Sequence, residues 1–340
     1  GSLPPRPIEI GDAEAGCTHA TVLAATVPKS EGKAAALVRD LPLALENAQA
    51  LLDDMPADLT IHEKAWLRVC HANALTTVAV GRGDTSLYQR AAEAYRGCLE
   101  AFSEDETPVE WAAIQKNLGA VLQAVAERID QEARSGGAAT GIQSQEVLGE
   151  AADAFGAALK VLSMNEHPFE WAAAQNRLGE VLYRLDFESG DIAMLKHSIA
   201  AYQSALQVYT RAKTPMRWAE VMNNFAQVTQ VLGEQLKNAE ALEKAAQACR
   251  AALEVRTKAE VPLLWAATQN NLGSALFLLG KMTTNAAHLE GAAEAFDLAG
   301  GLYRARGMEK MAAITEKNLG RVNQLLARAR PQDPPPLWDG

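Results

Sequence analysis

Two-residue polar steps recur inside otherwise apolar stretches of this 340-residue chain: Lys116-Asn117, Asn176-Arg177, Asn223-Asn224, Asn270-Asn271 and Lys317-Asn318. A carboxamide carries both a donor and an acceptor, so a row of them pairs with peptide backbone without demanding a particular side chain. The cations nearby, Lys116, Arg177, Arg184 and Arg321, suit a terminal carboxylate or acidic side chains, because a guanidinium offers a planar fork matched to two oxygens. Two readings of the amides stand side by side. Either they hold a bound segment of another chain, or they satisfy the backbones of neighbouring helices. Repetition on one stripe of an apolar helix favours the first.

Other chemistries find little support. No HExxH, Walker loop, GxSxG, strand-borne GxGxxG or EF-hand loop occurs. The histidines His19, His62, His71, His167, His197 and His288 never pair at metal-ligand spacing on one helix face. His167 and His197 suit surface or capping roles. The acidic groups Asp53-Asp54 and Glu104-Asp105-Glu106 read as solvated helix ends or loops. The expectation is a protein that is not an enzyme, with no catalytic residue, no metal and no cofactor.

The formal charge of −10 argues against a broad phosphate-neutralising surface, so nucleic acid is a poor partner and a basic or amphipathic polypeptide a better one. No apolar run is long enough to span a bilayer, so membrane insertion is not expected. Cys17, Cys70, Cys98 and Cys249 match neither a zinc spacing nor a dense disulfide framework. A reducing, cytoplasmic compartment fits, with the three later cysteines as small core residues. Gly1-Ser2 reads as a cloning remnant, in which case the natural start, with any leader, precedes it. Alanine makes up roughly a fifth of the chain and aromatics 6%, which points to helices in close contact.

The elements that position the polar steps are internal copies of one unit. WAAIQKNLGAVL begins at Trp111, WAAAQNRLGEVL at Trp171, WAEVMNNFAQVT at Trp218 and WAATQNNLGSAL at Trp265, with a fifth copy in which Ala312 replaces the tryptophan and a worn one from Trp66. A second amphipathic block keeps step, with Tyr95, Phe155, Tyr202, Cys249 and Phe296 at equivalent places. Asp84, Ser144, Asp191, Asn238 and Asn285 each stand eleven residues before these, where short side chains cap a helix start. Pro108, Pro168, Pro215 and Pro262 suit the first turn of the earlier helix, and Thr107 with Glu110 forms a capping box. Each unit is therefore an A helix followed by a B helix. Gly119, Gly179 and Gly273 inside the A helices ask for close approach of the B helix. The four tryptophans, with the B-helix aromatics, are expected in the core between repeats, where truncation costs about 3 to 5 kcal/mol.

WAATQNNLGSALFLLG followed by GAAEAFDLAG resembles the tetratricopeptide (TPR) repeat, over about Trp66 to Arg328. The units here are spaced by 47 residues, against the usual 34, and the excess is expected in the A-to-B connection and the tail of helix B. The tryptophan stands earlier than the family's aromatic position, occupied here by Gln115, Gln175, Met222 and Gln269. Longer units of this kind look like those that bacterial multi-domain proteins attach to effector domains. The resemblance implies an all-α fold, a right-handed solenoid of antiparallel helix pairs, whose A helices line a concave groove that holds a peptide. By position it assigns Asn117, Asn224, Asn271 and Asn318 to that groove, with Arg177 in the remaining copy. Lys116, Asn176, Asn223, Asn270 and Lys317 stand one residue earlier, and Arg184, Gln227 and Arg321 beside them. Ala113 and Ala120 stand where the family's carboxylate clamp has lysine and asparagine, which disfavours an adaptor for chaperone tails.

The expected organisation is an irregular N-terminal extension over residues 1–32, about five to six helix pairs over 33–330, and a Pro-rich tail over 331–340. A helix is expected from about Gly32 to Met55. An insertion near 131–143 contains a glycine-rich loop over 134–141. The tail, with Trp338, is a candidate to dock on its own groove or on a second copy, which leaves homo-oligomers open. The leading function is a scaffold or adaptor that grips a protein segment. Alternatives are the sensor region of a larger effector protein and a small-molecule-binding helical array.

Overall fold

The computed structural model describes residues 60–134, 141–189 and 192–329, together with Leu45 and Gln49. The N-terminal extension, Cys17, His19, Asp191, the middle of the insertion and the C-terminal tail lie outside the described residues, as does most of the helix expected before Met55; Leu45 and Gln49 are helical. Among the described residues there are eleven helices and no strand. They are α1 (Ile61–Arg82), α2 (Thr85–Cys98), α3 (Pro108–Arg134), α4 (Gly141–Val161), α5 (Pro168–Ser189), α6 (Ile192–Ala205), α7 (Pro215–Gln235), α8 (Ala239–Leu253), α9 (Pro262–Thr283), α10 (Ala286–Ala305) and α11 (Glu309–Ala329). The chain divides into two compact units, Gly1–Gly190 and Asp191–Gly340. The first holds α1–α5 and the second α6–α11. Within each unit every helix packs on the next in sequence, while α3 also touches α5, α7 touches α9 and α9 touches α11. The worn copy at Trp66 is a true A helix, since α1 pairs with α2 as the later copies do.

The turns between paired helices follow one design. Gly83, Lys237 and Thr284 take the left-handed conformation, with φ of 64°, 51° and 52°, and each precedes an Asx cap. Asp84 accepts from the amides of Ser86 and Leu87, Asn238 from Ala241 and Asn285 from Ala287, supplying acceptors that the first helical turn lacks. Glycine adopts such a φ without strain, and only the first of these three turns uses it. Ser144 departs from the expectation. Helix α4 starts a turn earlier, at Gly141, so Ser144 lies inside it, buried, with its hydroxyl donating to the Ala126 carbonyl at 3.4 Å. The loop expected over 134–141 is likewise corrected at both ends, because Arg134 closes α3 and Gly141 opens α4.

The excess length does not sit in the A-to-B connection, where only Gly83-Asp84 or Thr284-Asn285 intervene. It lies in the long A helices and in the B-to-A connection, which carries a repeated device. The side-chain oxygens of Ser103, Ser163, Thr210 and Thr257 accept from the amides of Glu106, Glu166, Lys213 and Glu260 at 3.1 to 3.3 Å. Each closes one turn ahead of the proline. Backbone bonds such as Thr107 N to Ser103 O (3.0 Å) and Trp111 N to Thr107 O (2.9 Å) then run that turn into the helix. The Thr107 hydroxyl accepts from the Ser103 amide instead of boxing with Glu110, because the preceding turn reaches it first. A capping box does form at Thr60 and Glu63 of α1.

The core is built on the B-helix row. Tyr95, Phe155, Tyr202, Cys249 and Phe296 are all essentially sealed from solvent. A Cβ on Gly119 would stand 3.0 Å from the Phe155 ring, and one on Gly273 2.9 Å from Phe296. In the copy whose B helix carries Cys249, the A helix carries Ala226, buried in the same cluster, so side-chain volume is exchanged between partners. Asn73 in α1 takes the place that leucine holds in four later copies and accepts from the Tyr95 hydroxyl. The tryptophans are corrected outward. Trp111, Trp171, Trp218 and Trp265 are only partly buried, whereas the alanines after them, Ala112, Ala172, Ala219 and Ala266, are fully enclosed. An indole is too large for the A-helix contact that alanine's Cβ fits. Trp111 and Trp171 rest against the first core and Trp265 against the last, with the Lys258 ammonium 5.3 Å from the Trp265 ring.

Candidate functional site on the A helices

In the first unit the A helices enclose a cavity of about 250 Å³. Helix α3 supplies Lys116, Asn117, Ala120, Gln123, Ala124 and Glu127, which recur at three- and four-residue steps on one face. Helix α1 adds Thr76 and Val80, and α5 adds Ala173 and Arg177. The hollow exists because Ala120, Ala124 and Ala173 end at Cβ, while Tyr88 and Phe155 of the B helices reach its floor. Val80 is 54% exposed, so the rim offers an apolar contact beside the polar groups.

The polar groups divide into engaged and unengaged sets. Gln123 donates to Glu180 at 2.9 Å, and Arg177 pairs with the same carboxylate at 3.2 Å, leaving its side chain 46% exposed. The Thr76 hydroxyl donates to the Ala72 carbonyl. Arg184 does not reach a ligand freely: its guanidinium holds Asp130 at 2.7 Å and Glu127 at 3.6 Å, tying α5 to α3. Lys116 and Asn117 make no hydrogen bond or ion pair with any described residue. Burial pushes the Lys116 ammonium below the usual lysine range, opposed by the charge of Glu170. Asn176 is buried behind this surface.

The second unit treats the same stripe differently. Asn271 on α9 donates to the Oδ1 of Asn223 on α7 at 3.1 Å, and Asn223 is buried. Here one carboxamide satisfies another across successive A helices. Asn271→Ala is expected to cost about 1 kcal/mol, the usual net worth of such a bond, read as a lower urea midpoint with an unchanged slope. Asn270 is half-buried with its Oδ1 unpartnered. Asn224 and Asn318 are half-buried, and Gln227, Lys317 and Arg321 are exposed. The structure thus gathers Lys116, Asn117 and Arg177 in one cavity and pairs Asn223 with Asn271.

Sequence reasoning missed Thr76, Val80, Gln123 and Glu127. Position twelve after the tryptophan reads Gln123, Tyr183, Gln230 and Phe277, which carries no repeat signal, and α1 lacks the Asn-Leu-Gly core that would have aligned Thr76. Of the cysteines, Cys98 and Cys249 are buried with thiols pushed up to about 12 by desolvation, while Cys70 is half-buried. Their thiolates are scarce at neutral pH, in keeping with packing roles. No model of a known family and no curated protein matches this chain. Among the described residues, no helix is long and apolar enough to cross a membrane.

Proposed function

We propose that this protein is a non-enzymatic interaction scaffold, with TPR-like repeats that stack in a right-handed sense and grip a segment of another polypeptide on the A-helix face. The observation that carries the reading is the cavity on α1, α3 and α5, where Lys116 and Asn117 line the hollow without a hydrogen bond or ion pair to any described residue. Groups of this kind form bonds with a ligand without first breaking internal ones. The cavity joins an ammonium and a half-exposed guanidinium to an apolar rim, which suits a segment carrying an acidic side chain next to an apolar one. The resemblance of WAATQNNLGSALFLLG to the TPR pattern supports the same face.

The test is selection of binding peptides from a random library on the full chain, followed by titration of wild type and Arg177→Ala by fluorescence anisotropy. Loss of a charge-assisted bond is expected to raise Kd about tenfold or more. Peptides that bind Arg177→Ala as tightly as wild type would remove this cavity from the interaction.

A further inference from the structure

We propose that Lys116 is an acylation site, and that acylation switches the charge of the cavity and hence its preference for acidic segments. The inference rests on the docking reading for its consequence but not for its chemistry. Three observations bear on it. Lys116 lines a cavity open enough for a small reagent, it forms no hydrogen bond or ion pair with a described residue, and Arg177 lines the same hollow. Partial burial favours the neutral amine, the nucleophilic form. The direction found for Lys116 agrees, with burial as the leading cause. Among the described residues, the other ionisable groups lining the cavity or acting on it are Tyr88 from α2, Glu127 from α3 itself, and Glu170 and Arg177 from α5, with Glu180 of α5 bound to Gln123 and Arg177; α1 contributes Thr76 and Val80. Glu170 favours the ammonium, and its effect ranks below that of burial.

The donor class is an acyl phosphate. The Nζ lone pair attacks the carbonyl carbon, the carbon–oxygen bond to phosphate breaks, phosphate departs with that electron pair, and the amine gives up one proton to solvent. The product is a neutral amide, so among the described lining residues Arg177 remains the sole cation, set against Glu127.

The experiment exposes the full chain to acetyl phosphate for limited times between pH 7 and 10 and quantifies each lysine by peptide mass spectrometry. Lys160 and Lys281, both exposed, serve as internal references, and Lys116→Arg confirms the peptide assignment. A lowered titration midpoint raises the neutral fraction of an amine near neutral pH. Lys116 is therefore expected to react several-fold faster than the references. In urea at unfolding concentration the difference should vanish. Equal rates in the folded chain, or an excess that persists in urea, would overturn the proposal. Neither outcome depends on a peptide ligand, so failure here is distinct from failure of the docking reading.

Discussion

Phe296→Ala is expected to destabilise the unit of α6–α11 by about 3 to 5 kcal/mol, seen as a lower urea midpoint. The ring is 1% exposed and lies against Gly273 of the preceding A helix. The partner side of this contact makes a sharper test. In an ordinary helix Gly→Ala gains about 1 kcal/mol. At Gly273 the added carbon would stand 2.9 Å from the ring of Phe296, and a ring so enclosed has nowhere to retreat. Gly273→Ala should therefore reverse sign and cost about 1 to 3 kcal/mol. The natural pair Ala226 and Cys249 shows the alternative solution. The double change Gly273→Ala with Phe296→Cys copies it and should be more stable than Phe296→Cys alone, because the methyl fills part of the vacated space. A coupling of about 0.5 to 3 kcal/mol is expected in the double-mutant cycle. Strict additivity would show that the two positions do not share this packing.

Arg256→Tyr is expected to stabilise the same unit by about 1 to 4 kcal/mol. Seven residues after the B-helix row stand Phe102, Leu162, Tyr209, Arg256 and Tyr303, all buried. Arginine alone breaks the apolar character of this position. It is 4% exposed, its guanidinium donates to the Thr268 hydroxyl at 3.1 Å, and its Nε lacks a partner among the described residues. Burial pushes its guanidinium below the usual range, with Glu220 acting in the opposite sense. A desolvated cation so thinly compensated costs more than a well-packed ring, and Thr268 keeps its bond to the Leu264 carbonyl at 2.9 Å when the arginine is gone. Arg256→Ala, which leaves a void, should instead destabilise. Thermal unfolding distinguishes these cases: a lower Tm for Arg256→Tyr would mean that Thr268 and Glu220 together outweigh the cost of burial.

The hairpins were legible because their signals are short-range. The Asx caps at Asp84, Asn238 and Asn285, the prolines that open α3, α5, α7 and α9, and the small residues facing Phe155 and Phe296 each act within one turn or one helix pair. Errors arose where a neighbouring turn competed. Ser144 has a capping residue's chemistry, yet the helix continued past it into the insertion. Thr107 has the spacing of a capping box, yet its hydroxyl accepts from the Ser103 amide in the folded turn. The Ser or Thr five residues before each of these prolines was equally readable and carries the B-to-A connection. The tryptophans misled because a conserved-looking spacing reveals that a position matters to packing, not how deeply it sits.

The sequence by itself determined an all-helical chain of repeated A and B helices, the caps that begin them and the aromatic row that fills the core. These follow from periodicity, hydrogen-bonding capacity at helix ends and side-chain volume, all of which are local. Only the tertiary structure decided the fate of the polar stripe. Asn223 and Asn271 stand 48 residues apart and bond to each other, whereas Lys116 and Asn117 face a hollow bordered by Arg177. That outcome depends on the spacing between successive A helices and on where alanine leaves room between them. A repeat can place the same amides in every copy, but the distance to the next helix determines whether each meets a neighbour or an open cavity.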